Sequence, residues 1–169
     1  GDNRVAEQTK HAIVSVAVPL NGETALETAL QNGWSITIPS PMVSTLSNDL
    51  RAVRTGADQF FLIFPHDAHD AERLVQDKLN GAGYTTDQTD SWVQLAVSGP
   101  GLLSALERLS PIDLSLQAFP VNASARTMFE HMGALVIRTG DDRFLLISAA
   151  SSAGSFLHAV QTSFEYTQP

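Results

Sequence analysis

The ten residues Arg54-Thr55-Gly56-Ala57-Asp58-Gln59-Phe60-Phe61-Leu62-Ile63 return as Arg138-Thr139-Gly140-Asp141-Asp142-Arg143-Phe144-Leu145-Leu146-Ile147, 138 − 54 = 84 positions later. Seven of the ten positions are identical, where average composition gives roughly one match in fifteen. The spacing is close to half of the 169 residues. The chain therefore reads as an internal duplication, and whatever one copy folds into the other should fold into as well.

In each copy an apolar run, residues 50–53 or 134–137, leads into a short polar loop containing Gly and Asp, and a second apolar run, residues 60–64 or 144–147, leads out of it. Gly and Asp supply the positive φ that such tight loops need, so each copy is expected to be a β-hairpin. The outgoing runs are apolar at consecutive positions, which suits neither face of a strand to water. These strands are expected to lie inside.

Residues 1–11 read as a loose leader, with Gly1 a cloning remnant. Residues 12–18 alternate as a strand, closed by Pro19 and the turn pair Asn21-Gly22. A helix over 23–31 places Leu26 and Leu30 on one face, with Gly33 as its C-terminal cap. Residues 34–48 carry Pro39 and Pro41 among many Ser and Thr, and read as an irregular loop. Asp67 is placed to cap a helix over 68–79 whose buried stripe is Ala71, Leu74, Val75 and Leu79, with Gly81 and Gly83 ending it.

The second half repeats this order. A strand over 92–97 leads through Ser98-Gly99-Pro100 into a helix bearing Leu102, Leu103, Leu106 and Leu109, which Pro111 stops. Residues 112–132 form the counterpart of the irregular loop, with a turn at Asn122. The closing helix begins near 151 and buries Ala153, Phe156, Leu157, Val160 and Phe164. Tyr166-Thr167 echoes Tyr84-Thr85 and suggests a short final strand. The fold class expected is α+β: internally duplicated β-α-β-β-α units with antiparallel hairpins, forming a single domain over 1–169 from repeats of about 12–86 and 92–168.

Ten basic against eighteen acidic residues give a net charge of −8 and a pI near 4.9. Nucleic acid and anionic membranes are disfavoured as partners. No apolar run approaches the roughly 18 residues needed to span a bilayer, and a soluble, cytoplasmic chain is expected. The absence of cysteine excludes a thiolate nucleophile, a disulfide and a cysteine-ligated zinc site. Charged residues make up only 17%, below the usual share of about 25%, which fits a surface held against a partner.

The densest polar cluster is His66-Asp67-Ala68-His69-Asp70-Ala71-Glu72. Two imidazoles three apart could ligate a metal, but acids at a helix start are accounted for by capping and the helix dipole. Ser98-Gly99-Pro100-Gly101 could cradle a phosphate on exposed N–H groups, yet Pro100 removes a donor and no G-x-G-x-x-G or Walker pattern is present. His131 and His158 sit on apolar stretches and read as core or interface histidines. No G-x-S-x-G elbow appears. The residues alone thus nominate no catalytic, cofactor-binding or metal-binding position.

Residues 92–100, Trp-Val-Gln-Leu-Ala-Val-Ser-Gly-Pro, followed by Leu106, Ser110-Pro111-Ile112-Asp113-Leu114, Phe119-Pro120, Arg126-Thr127 and a hairpin ending at Leu146-Ile147, resemble the gamma subunit of heterotetrameric sarcosine oxidase. The resemblance covers residues 92–160 well, 48–79 loosely and the first forty-odd hardly. Where the family often carries a glycine this chain has Asn122, which tolerates the same left-handed backbone, and Ala149-Ala150-Ser151 replaces a familial Arg-Ser-Phe. The resemblance implies a small non-catalytic subunit with no cofactor of its own, bound to large alpha and beta flavoprotein subunits that hold NAD, FAD, FMN and tetrahydrofolate. Such a complex oxidises sarcosine to glycine and passes the methyl carbon to folate. It also implies a fold like the folate-binding domain of aminomethyltransferases, so a stand-alone folate-binding or aminomethyl-transfer domain is the alternative. Candidate partner contacts are the apolar residues of the second irregular loop, Ile112, Leu114, Leu116, Phe119 and Pro120, expected to be exposed, with Asp113, Arg126 and Thr127 beside them.

Overall fold

The computed structural model describes residues 2–167, so Gly1 and any strand beyond Thr167 lie outside the described residues. In chain order the elements are β1 (Arg4–Glu7), β2 (His11–Ala17), α1 (Glu23–Trp34), β3 (Ser44–Ser47), β4 (Leu50–Arg54), β5 (Gln59–Pro65), α2 (Ala71–Leu79), β6 (Tyr84–Asp87), β7 (Trp92–Ser98), α3 (Leu102–Glu107), β8 (Ser124–Phe129), β9 (Met132–Gly140), β10 (Arg143–Ala149) and α4 (Ala153–Thr167). The class is α+β with antiparallel hairpins, as expected. Two compact units divide the chain: Lys10–Asp90, and Ser91 onward joined by residues up to Thr9.

The Lys10–Asp90 unit is a five-stranded sheet in the order β3-β4-β5-β2-β6, and the other is β8-β9-β10-β7-β1. Every pairing is antiparallel. Each element of one unit therefore has a counterpart in the other. The repeated decapeptides form the β4–β5 and β9–β10 hairpins.

Alternation along the strands sorts the cores. In the first unit Ala12, Val14, Val16, Phe60, Leu62 and Phe64 face Leu26 and Leu30 of α1 and Ala71, Val75 and Leu79 of α2 in one cluster. Ile13, Val53, Phe61 and Ile63, on the opposite face, are buried too. The second unit repeats the pattern: Leu95, Val97, Phe144 and Leu146 pack with Leu102, Leu106, Phe156 and Val160, while Leu135, Ile137 and Ile147 are buried on the other face. Burial of both faces explains the consecutive apolar runs.

Several expectations are corrected. Residues 1–11 are no loose leader: Arg4–Glu7 pairs with β7 from Arg4↔Ser98 to Glu7↔Leu95, and Val5 packs against the core. This strand takes the edge position that β6 fills in the first unit, whereas Tyr166-Thr167 continues α4 instead of starting a strand. The irregular stretches 34–48 and 112–132 each end in a strand, β3 and β8. Helix α1 runs through Gly33 and is closed by Ser35 at φ 57°. Helix α2 starts at Ala71 and not at 68, because His66 and Asp70 bond across the intervening turn at 2.7 Å; Asp67 pairs with Lys10 at 3.6 Å instead of capping it. Neither Gly56 nor Gly140 has positive φ; the β9–β10 hairpin accommodates its turn through a register shift at Arg143/Phe144.

Candidate partner-contact surface

The first arginine of the decapeptide does the same work in both units. Arg138 donates from Nη2 to the Leu114 carbonyl and from Nη1 to that of Asp141 at 2.5 Å, with its Cζ 4.6 Å from the Phe144 ring centroid. Arg54 donates from Nη1 to the Pro39 carbonyl at 3.3 Å, from Nε to that of Gly56 at 3.1 Å, and from Nη2 to that of Ala57. Each guanidinium thus ties the connector between a helix and its hairpin to the hairpin turn, using fixed donors that suit several carbonyls at once. Burial pulls the Arg138 pKa down, against the opposing pull of Asp141 and Asp142.

This strap decides which connector residues reach the surface. Leu114 is fully buried and Phe119 is 4% exposed, its ring stacked on Phe144 at 6.3 Å. The expectation that these two lie exposed is corrected: they fill the corner between α3 and β10 in their own unit's core. Ile112 is half-buried against the same core. Leu116 is 51% exposed, and Pro120 and Arg126 are also exposed, with Thr127 half-buried. Asp113 is exposed; its Oδ1 accepts the Ser115 N–H at 2.9 Å, which holds the carboxyl below the usual aspartate range. Thr127 shares a 3.2 Å hydroxyl contact with Ser110.

Each unit also exposes apolar residues that the sequence did not single out. Val121 and Met128 flank the strap-held connector. In the other unit Leu20, Met42, Val43 and Leu46 are exposed. The turns before β3 and β8 match: Met42 at φ 63° stands where Asn122 stands at φ 71°. An asparagine there is a legible turn signal, whereas a methionine conceals it.

The polar motifs resolve into local structure. His66 Nε2 lies 2.7 Å from Asp70 Oδ1, and Arg73 donates to Asp70 Oδ2 at 3.0 Å. His69 lies apart from this network on the surface, and among the described residues no group of three or more His, Asp or Glu could hold a metal. Asn3 Oδ1 accepts the Gly101 N–H at 3.0 Å, so the start of α3 meets the chain's own side chain where a phosphate was considered. Gly99 at φ 141° allows this approach, since a Cβ there would lie 2.6 Å from Asn3 Cα. His131 and His158 are exposed, not core.

No protein-family model matches the chain. Over 103 residues, 61% of its length, it is 30% identical to sarcosine oxidase subunit gamma of Corynebacterium sp. (strain P-1). The match covers 51% of that protein, so the chain spans about half the length of the curated relative it matches. Among solved structures, it resembles a chain of the heterotetrameric sarcosine oxidase from Corynebacterium sp. U-96 in complex with pyrrole 2-carboxylate, with a TM-score of 0.84 and 20% identity over 99% of this chain and 86% of that one. It also resembles glycine cleavage system aminomethyltransferase T from Bartonella henselae, with a TM-score of 0.71 and 13% identity over 95% of this chain and 45% of that one. In sequence, then, the chain is similar to the gamma subunit of sarcosine oxidase, and its fold is one shared with the heterotetrameric enzyme and with aminomethyltransferase T.

Proposed function

We propose that the chain is a small non-catalytic subunit of a cytoplasmic, heterotetrameric sarcosine oxidase complex. In this reading the larger alpha and beta flavoprotein subunits carry FAD, FMN, NAD and tetrahydrofolate, and the complex demethylates sarcosine to glycine with transfer of the methyl carbon to tetrahydrofolate. The observation that carries the proposal is the 30% identity to sarcosine oxidase subunit gamma over 103 residues. The proposed contact to the larger subunits is the connector before β8 and β8 itself: Asp113, Leu116, Pro120, Arg126 and Thr127 directly, with Ile112, Leu114 and Phe119 shaping it from beneath. An exposed leucine among polar rim residues is the composition of a surface that desolvates on assembly.

The fold shared with aminomethyltransferase T supports a second reading, a stand-alone folate-binding or aminomethyl-transfer domain. Calorimetric titration of the purified chain with tetrahydrofolate separates the two. The subunit reading expects no saturable heat; binding at micromolar concentration would overturn it in favour of the second.

A further inference from the structure

A groove of about 700 Å³ opens in the Lys10–Asp90 unit beside Arg54, lined among others by Leu20, Glu23, Glu27, Ile38, Pro41 and Asp58. The other unit shows what the same corner looks like when filled. Helices α1 and α3 begin alike, at Gly22 (φ −98°, ψ 4°) and Gly101 (φ −93°, ψ 5°). Glu23 and Glu27 therefore stand where Leu102 and Leu106 stand, 79 positions on. Leu102 and Leu106 are buried in one cluster with Leu114 and Phe119 of the connector. That connector has sixteen residues, 108–123, whereas its counterpart has nine, 35–43. The short one sends Ile36 into the core but leaves Glu23 and Glu27 exposed.

The open corner is apolar at its rim and acidic inside. Of the lining residues Leu20 is 94% exposed, and Met42, next in the chain to Pro41 of the lining, is 71% exposed on a left-handed backbone that a methionine adopts only under strain. Arg54 offsets only part of this charge: three carboxylates, Glu23, Glu27 and Asp58, share the lining with its one guanidinium, whose donors are engaged by the carbonyls of Pro39, Gly56 and Ala57. Among the described residues Glu23, Glu27 and Asp58 form no ion pair. A second copy of a chain with net charge −8 is disfavoured there, and an occupant of opposite charge is favoured.

We infer that this groove docks an extended segment of a partner chain that carries apolar side chains together with lysine or arginine. The inference deepens the subunit reading by giving it a second contact surface of stated chemistry, and its test requires only this chain. The probe is an eight-residue peptide reproducing residues 112–119, the segment that fills the equivalent corner, with lysine in place of Asp113 and Gln117; the unaltered acidic peptide is the control. Amide resonances of the full chain are followed by NMR during each titration. Saturable shifts at Leu20, Thr24, Ile38 and Asp58 are expected with the lysine peptide, with binding about tenfold tighter than the control. The double variant E23K/E27K, altered only at exposed positions, should lose that preference while keeping the spectrum of the folded chain. Absence of shifts in the groove, equal binding of both peptides, or unchanged binding to E23K/E27K would each overturn the inference. None of these outcomes bears on whether the chain assembles with larger subunits, so the two readings fail separately.

Discussion

Arg138 is 2% exposed and Arg54 partly exposed, although both guanidiniums hold a connector carbonyl and a turn carbonyl. The difference sets what each is worth. Removing Arg138 leaves the buried Leu114 carbonyl without its donor and a void beside Phe144, so Arg138→Ala should destabilise by about 2–4 kcal/mol. Arg54→Ala exposes its carbonyls to water and should cost about 1 kcal/mol. Urea denaturation of the two variants checks the order, and equal losses would contradict it. At Asp70 the hydrogen bond from His66, followed by that from Arg73, holds the carboxyl below the usual aspartate range. Its folded pKa is thus depressed, so its stabilising contribution is present above the unfolded pKa and lost as pH falls through the folded one. His66→Ala should move the Asp70 titration upward toward the ordinary range in a carboxyl-detected NMR titration; an unmoved midpoint would show that His66 is not the cause.

At the scale of elements, β1 and β6 occupy the same edge of their sheets, but β6 follows its own helix while β1 comes from the other end of the chain. Deleting residues 1–9 removes the four pairings with β7, the packing of Val5 and the Asn3 bond to Gly101. A loss of about 2–4 kcal/mol is expected, with faster hydrogen exchange in β7 and little change in β2, whose edge partner β6 remains. Equal protection in the truncated and full chains would contradict the pairing. The sequence could not have shown this strand, since nothing in Arg4-Val5-Ala6-Glu7 points to a partner ninety residues away. It also hid β3, because Ser44-Thr45-Leu46-Ser47 at a sheet edge has the composition of a loop. The hairpins were legible because their strands are buried on both faces and write that burial as unbroken apolar runs. Leu114 and Phe119 were misread for a related reason: apolar residues outside any period carry no sign of whether their own core or a partner covers them.

At the scale of the whole molecule, the duplication visible in the decapeptides appears as two sheets of matching strand order, and the likeness to aminomethyltransferase T is a likeness of that fold. The differences between the units are where function is proposed: a long connector whose Leu114 and Phe119 pack in one core with α3 in one, a short connector and an open acidic groove in the other. A net charge of −8 with few charged residues overall suits a chain recruited by oppositely charged surfaces and then covered. The central claim, that this chain is a subunit, is tested most directly by purifying it under native conditions from its source and identifying by mass spectrometry what elutes with it. The account predicts two larger flavoprotein chains in fixed proportion, with recovery reduced by Leu116→Asp at the exposed connector; elution of the chain alone, with Leu116→Asp indistinguishable from the unaltered protein, would contradict it.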